Sequence, residues 1–153
     1  MTKILFVCHG NICRSPMAEF VMKKLVSDRG MDEDFYIASA ATHTDEIRAG
    51  KGNPIYPPAQ RELIKNKVPF DEDKRATLLT EEDADKYDFF IGMDSENIRF
   101  MHRILGKSAE RKIYKLLDFT SCDDVSDPWY TGNFSLAFSD IKSGCEALLN
   151  ELL

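Results

Sequence analysis

An α/β fold is predicted, a small parallel sheet covered by helices on both faces, and three observations carry it. Short runs that are almost entirely apolar, Lys3–Val7 (KILFV), Phe35–Ala41 (FYIASAA) and Tyr87–Ile91 (YDFFI), have the composition of strands buried on both faces. Segments with apolar residues at helical spacing lie between and after them, so strands and helices alternate. The 153 residues, 43% hydrophobic and 30% charged, suffice for one domain over residues 1–153 whose core needs no covalent staple.

Taken in order, Lys3–Val7 is the first strand. Pro16 opens a helix whose stripe is Ala18, Val21, Met22, Leu25 and Val26 and which stops near Gly30. Ser15 is expected to cap it, with Pro16 in the first turn, where its missing N–H costs nothing. Phe35–Ala41 is the second strand, with Phe35 and Tyr36 as packing residues. Thr42 to Pro58, holding two glycines and three prolines, reads as a long surface loop, and Ala59 to Asn66 as a short helix. The acidic runs Asp71–Asp73 and Glu81–Asp83 read as solvated surface. After the third strand, Asp94 is placed to cap a helix with Ile98, Met101 and Leu105 on its apolar face. Ile113–Leu117 suits a brief fourth strand or a turn, and Asp118–Asn133 is polar and irregular. The last helix aligns Phe134, Ala137, Phe138, Ile141, Cys145, Leu148, Leu149 and Leu152 over about five turns.

Composition narrows the function classes. A formal net charge of −6 argues against general binding to nucleic acid or anionic membranes. No run approaches the roughly 20 apolar residues of a membrane span. The start MTKILFV is too quickly followed by polar residues for a secretory signal, so a cytoplasmic location is expected. Cys8, Cys13, Cys122 and Cys145 form no disulfide framework, and Cys8 with Cys13 lacks the second half of a tetrahedral metal site. No metal or other cofactor is expected.

The chemistry concentrates in Cys8–Ser15 (CHGNICRS), beyond the carboxyl end of the first strand, where such sheets carry their sites. The chain must turn sharply there, and Gly10 and Asn11 both tolerate left-handed dihedrals. The N–H groups of His9, Gly10, Asn11, Ile12, Cys13 and Arg14 then converge as an anion nest backed by the helix N-terminus. These dipoles and the nearby Arg14 favour thiolate over thiol at Cys8. Arg14 can grip two oxygens of a phosphate at once, and Ser15 can donate a hydroxyl hydrogen bond to the Cys8 thiolate. With one glycine and no Gly-Lys-Ser/Thr, the segment is not a nucleotide-binding loop.

VCHGNICRSPMAE resembles the signature of the low-molecular-weight protein tyrosine phosphatases, a Cys-x5-Arg-Ser loop at the extreme N-terminus of the domain. Met93-Asp94-Ser95-Glu96-Asn97 resembles the family's Met-Asp-x-x-Asn, and Asp127-Pro128-Trp129-Tyr130 its Asp-Pro acid loop, so the likeness runs over nearly the whole chain. It implies a three-layer fold, a four-stranded parallel twisted sheet flanked by helices on both faces. It also implies hydrolysis of phosphotyrosine in proteins or peptides through a cysteinyl-phosphate. Carried over, Cys8 is the nucleophile, Arg14 the phosphate clamp and Asp127 the general acid. Asn11 and Ser15 support the loop, and inorganic phosphate or a similar oxyanion is a ligand of residues 9–15. Members often carry a histidine and an arginine after the second helix; Asp73–Thr77 (DKRAT) has no histidine, and Lys74 takes its place.

On that resemblance, thiolate attack splits one hard step into two, and the loop amides with Arg14 stabilise the equatorial oxygens. Asp127 protonates the leaving phenolate and then takes a proton from water. Pro128 fixes the backbone after it, and Asp123 and Asp124 are the nearest alternative acids. Trp129 and Tyr130, with His9 and residues near Thr42–Glu46 opposite, are expected as the rim against a phenyl ring. Cys13 is a candidate for a reversible disulfide with Cys8 under oxidation, or else a packed thiol. Cys145 is expected in the core. Two other activities use this fold: a phosphoarginine phosphatase, which differs at a rim residue, and a thioredoxin-coupled arsenate reductase. The reductase needs resolving cysteines, and this chain has none between Cys13 and Cys122. A binding module without catalysis has no use for Asp127.

Overall fold

The computed structural model describes residues 1–153. In chain order the elements are β1 (Thr2–Cys8), α1 (Arg14–Asp28), β2 (Phe35–Ala41), the short strands β3 (Ile47–Arg48) and β4 (Lys51–Gly52), and α2 (Pro57–Lys65). There follow β5 (Phe89–Gly92), α3 (Ser95–Leu105), β6 (Ile113–Lys115), α4 (Pro128–Thr131) and α5 (Phe134–Leu152). Four strands lie side by side in the order β2, β1, β5, β6, every pair parallel. The chain therefore leaves β1 toward one edge and later returns to its other side. Sheets of this kind open a crevice at that reversal, beyond the carboxyl end of the central strand. Cys8 ends that strand.

Alternation along β1 builds the layers. Ile4, Phe6 and Cys8 face a core shared with Met17 and Val21 of α1 and with Ile141, Cys145 and Leu148 of α5. Leu5 and Val7 face the opposite core, with Phe90 of β5 and with Met101 and Leu105 of α3. A strand covered on both sides has no face left for polar residues, which is why its sequence is a continuous apolar run. The α/β, three-layer, four-stranded parallel expectation is the fold observed.

Several local expectations need correction. The first helix begins at Arg14, one residue before Ser15. Cys13 occupies the cap position with no side-chain cap bond, and the Ser15 hydroxyl is turned to Cys8 instead. Thr42–Pro58 is not all loop: β3 and β4 pair as an antiparallel hairpin, and α2 starts at Pro57 on prolines that fit its first turn. The third strand starts at Phe89 rather than Tyr87, because Asp88 is drawn to Lys3 by two bonds, from its N–H to Lys3 O and from Lys3 N to its carboxylate. Tyr36 is half exposed and packs on Tyr87, so it is not a core residue. Ile113–Lys115 is a strand, Leu116–Phe119 a single turn of 3-10 helix, and the polar stretch beyond contains α4. Asp94 caps α3 as expected: it accepts from Asn97 N at 2.8 Å, while Asn97 Oδ1 accepts from the N–H groups of Met93 and Asp94.

Candidate active site

The turn out of β1 depends on one residue in the left-handed region, Asn11 with φ 59°. Gly10 does not share that conformation; what it provides is room, since a Cβ there would stand 3.2 Å from Glu46 Cγ. Asn11 is 1% exposed and its amide is fully used. Its Oδ1 accepts from Lys74 Nζ (3.1 Å) and from Thr77 N (3.0 Å). An ammonium and a backbone N–H can only donate, so the oxygen must face them and Nδ2 must face the other way. There it donates to Ser15 Oγ (2.8 Å) and Ser39 Oγ (2.9 Å).

This fixes the direction of two hydroxyl protons. Ser15 Oγ accepts from Asn11 and lies 3.0 Å from Cys8 Sγ; a thiolate there can only accept, so in that state the Ser15 hydrogen goes to the sulfur. Ser39 Oγ likewise donates to Glu19 Oε1 at 2.6 Å. The Cys8 sulfur also lies within reach of two backbone donors, Asn11 N at 3.3 Å and Ser15 N at 3.4 Å. Three donors and no competing acceptor suit a sulfur anion. Cys13 is the contrary case. Burial first, then the charges of Cys8 and Asp127, push its thiol well above the ordinary range.

Arg14 is 2% exposed and joins three parts of the chain. Its Nη1 donates to Asp94 Oδ2 (2.7 Å) and Val125 O (2.9 Å), and its Nη2 to Asp127 Oδ2 (3.3 Å). Burial opposes its charge, but Cys8, Asp94 and Asp127 outweigh burial and hold the guanidinium more firmly protonated than a free arginine. Asp127 sits at the start of α4, where its Oδ1 accepts from Trp129 N at 3.0 Å.

These groups surround a cleft of about 170 Å³. Cys8, Gly10, Ile12, Cys13 and Arg14 line it together with Asp127, Trp129 and Tyr130 from one side and His9, Asp45 and Glu46 from the other. His9 Nε2 is 2.6 Å from Asp45 Oδ2, and its ring stacks on His43 with centroids 4.0 Å apart. Burial and the neighbouring His9 hold the His43 imidazole below its ordinary value. Trp129 is 53% exposed and rests against Tyr56, and Tyr130 projects almost wholly into solvent. Of the residues singled out in the sequence, Cys8, His9, Gly10, Ile12, Cys13, Arg14, Asp127, Trp129 and Tyr130 line the cleft with Asp45 and Glu46 of the expected rim segment; Asn11 and Ser15 bond behind it, and Thr42, His43, Thr44, Asp123 and Asp124 are not part of its lining. Cys145 is fully buried and Cys122 exposed, both away from the cleft lining.

Local sequence pattern does not single out three other contributors, Ser39, Glu19 and the second role of Asp94 as partner to Arg14, nor does it mark Asp45 of the expected rim segment as the partner of His9. Two of them left a trace. Ser39 is the one polar side chain in the apolar run Phe35–Ala41, and Glu19 is an acid on the buried side of α1, 4% exposed.

The family profile described as low molecular weight phosphotyrosine protein phosphatase matches residues 3–153. The low molecular weight protein-tyrosine-phosphatase YfkJ of Bacillus subtilis is 39% identical over 152 residues, covering 97% of this chain and 94% of that protein. The crystal structure of SP-PTP, a low molecular weight protein tyrosine phosphatase from Streptococcus pyogenes, superposes with a TM-score of 0.89 at 37% identity, covering 100% of this chain and 94% of that one. A Drosophila arginine phosphatase has the same fold at greater distance, with a TM-score of 0.85 and 28% identity over 99% of this chain and 98% of that one. With its thiol, arginine and carboxylate gathered at the mouth of one loop, the chain belongs to the low-molecular-weight phosphotyrosine protein phosphatase family.

Proposed function

We propose that Cys8, Arg14 and Asp127 divide between them the hydrolysis of phosphotyrosine in proteins or peptides. Hydrolysis through a cysteinyl-phosphate is the family's reaction. The observation that carries the residue assignment is the meeting of three groups at one cleft: a thiol with three donors aimed at its sulfur, a buried guanidinium, and a carboxylate 3.3 Å from that guanidinium.

In the first step the Cys8 thiolate forms a bond to phosphorus as the bond to the phenolic oxygen breaks, and Asp127 gives that oxygen its proton. In the second, water attacks the same phosphorus, Asp127 takes a proton from it, and the sulfur leaves as thiolate. Ser15 donates to the sulfur whenever it carries negative charge. The loop N–H groups and Arg14 hold the equatorial oxygens throughout, the term that usually dominates such catalysis. Inorganic phosphate or a similar oxyanion is bound by the same groups and is expected to inhibit competitively.

Ile12, Trp129 and Tyr130 give the cleft apolar walls that suit a phenyl ring. A phosphoguanidino group gains less from those walls, and its N–H donors would have to be met by the carboxylates Asp45, Glu46 and Asp127 of the same cleft. Hydrolysis of phosphotyrosine, phosphoserine and phosphoarginine peptides measured side by side tests this. Phosphotyrosine is expected to have the highest kcat/KM; a preference for phosphoarginine would overturn the substrate assignment.

Cys13 is assigned as the oxidation partner of Cys8. Oxidised Cys8 is an uncharged sulfenic acid, which removes one of the charges that disfavour the Cys13 thiolate. Attack by the Cys13 sulfur forms the S–S bond and breaks the S–O bond, and the proton given up by the Cys13 thiol leaves with the sulfenic hydroxyl as water. Brief peroxide treatment is expected to inactivate the enzyme in a way that reductant reverses, with a Cys8–Cys13 linkage found by mass mapping; modification confined to Cys122 would exclude it. A cytoplasmic location fits a mechanism that needs Cys8 as a free thiol, which a reducing compartment maintains. Cell fractionation tests it.

A further inference from the structure

Three residues before Asp127, a second carboxylate is committed to the protein itself. Oδ1 of Asp124 accepts three hydrogen bonds: from Lys115 Nζ at 3.0 Å, from Ser95 Oγ at 3.1 Å and from Ser95 N at 3.2 Å. We propose that Asp124 is a positioning residue for catalysis, tethering the segment that carries Asp127 so that the acid stays beside Arg14. The proposal rests on the assignment of Asp127 as the acid.

The tether works because of what it joins. Lys115 ends β6 and Ser95 begins α3, so both donors stand on regular elements of the sheet and its covering layer. Lys115 Nζ also donates to Cys122 O at 3.1 Å, which closes the turn in which Cys122 takes a left-handed φ of 67°. The next residue along, Val125, is fully buried; its N–H donates to Met93 O at 2.9 Å and its carbonyl accepts from Arg14 Nη1 at 2.9 Å. Residues 124 and 125 are thus anchored to β6, to α3, to the end of β5 and to the phosphate loop. Beyond them the Asp127 carboxyl is held by Trp129 N and by a longer contact to Arg14. The place of the acid is therefore set mainly by where the chain is pinned two and three residues earlier.

Charge supports the geometry. Burial works against the Asp124 carboxylate, but the hydrogen bonds from Lys115 and Ser95 outweigh it and hold the carboxyl below its ordinary value. The bond to Asp124 in turn raises the Lys115 ammonium above its ordinary value. A carboxyl engaged in this way is a tether and not a reserve acid.

The test compares kcat/KM on a phosphotyrosine peptide with kcat/KM on an activated aryl phosphate, whose leaving group needs no proton. A small displacement of a catalytic group costs on the order of 10- to 100-fold, so Asp124→Ala is expected to lose about that much on the peptide and less than about twofold on the activated ester. Asp124→Asn keeps an oxygen for Ser95 and Lys115 and is expected to recover most of the loss. Lys115→Met cuts one tether while leaving the carboxylate, and is expected to show the same selective loss in smaller degree. A folded Asp124→Ala protein with both substrates unaffected, or both reduced alike, overturns the proposal. If Asp124→Ala does not fold, the substrate ratio of Lys115→Met decides in the same way. Asp127→Asn is run alongside. If it loses the peptide selectively and the tether variants do not, the tether is wrong and the acid right; if it shows no selectivity, the acid assignment falls and the tether with it.

Discussion

At the scale of single residues, the site is a problem in proton direction. Lys74 and Thr77 N orient the Asn11 amide, the amide orients Ser15, and Ser15 donates to Cys8. The first two links are forced by donors that cannot accept, and the last by a thiolate that cannot donate. Asp127→Asn removes the transferable proton but keeps an oxygen to accept from Trp129 N, so α4 should remain formed. A phenolate such as tyrosine's depends on protonation far more than an activated nitrophenolate does. The expected loss on phosphotyrosine peptide is on the order of 10²- to 10⁴-fold, and smaller on the activated ester, with a flatter alkaline limb. Equal, slight losses on both would mean that Asp127 only caps α4. Cys8, Arg14, Ser15 and Asp127 were legible because they lie within short stretches whose spacing is itself the signal. The pairing of Asp45 with His9 and that of Asp94 with Arg14 were not, because 36 residues separate the first pair and 80 the second. Nothing local marks a partner that distant.

At the scale of elements, the loop between β1 and α1 is held by one side chain in an unfavourable backbone region. Asn11→Ala keeps the left-handed strain, which costs roughly 1–2 kcal/mol for an ordinary residue, and leaves buried partners unpaired at roughly 1–3 kcal/mol. Wild-type Asn11 already bears that backbone, so the lost bonds dominate and the expected loss in denaturant unfolding is roughly 1–3 kcal/mol. Asn11→Gly loses the same bonds without the strain and should be the more stable of the two by about 1 kcal/mol. The reverse order would show that the backbone there is not under constraint. The turn was legible from the Gly-Asn pair, but its division of labour was not, since either residue tolerates left-handed dihedrals. The folded backbone decides it: Asn11 takes the positive φ, and Gly10 does not but stands close to Glu46. The capping of α3 by Asp94 was legible because it is a local pattern. That of α1 by Ser15 failed because a buried sulfur competed for the same hydroxyl.

At the scale of the whole molecule, the apolar runs marked three strands and the helical stripes marked their covers, yet no sequence term states which strands are neighbours. The order β2, β1, β5, β6 comes from packing, and it alone brings Asp127 beside an arginine 113 residues earlier in the chain. The close approach of α5 to the turn after β6 is a sensitive point of that packing. A Cβ on Gly144 would lie 2.5 Å from Cγ of Leu116, a side chain with no exposed surface. Gly144→Ala gains about 1 kcal/mol of helix propensity, against roughly 1–3 kcal/mol for overpacking a buried branch point. The melting temperature is expected to fall; a rise would mean that α5 has slack against Leu116.

In this mechanism phosphate passes through the sulfur of Cys8. Rapid acid quench of the enzyme with a labelled phosphotyrosine peptide, followed by digestion and mass mapping, measures this directly. Transient phosphate on the peptide containing Cys8, absent in Cys8→Ser, is the result expected. Label on any other residue, or turnover by homogeneous Cys8→Ser protein, would contradict it.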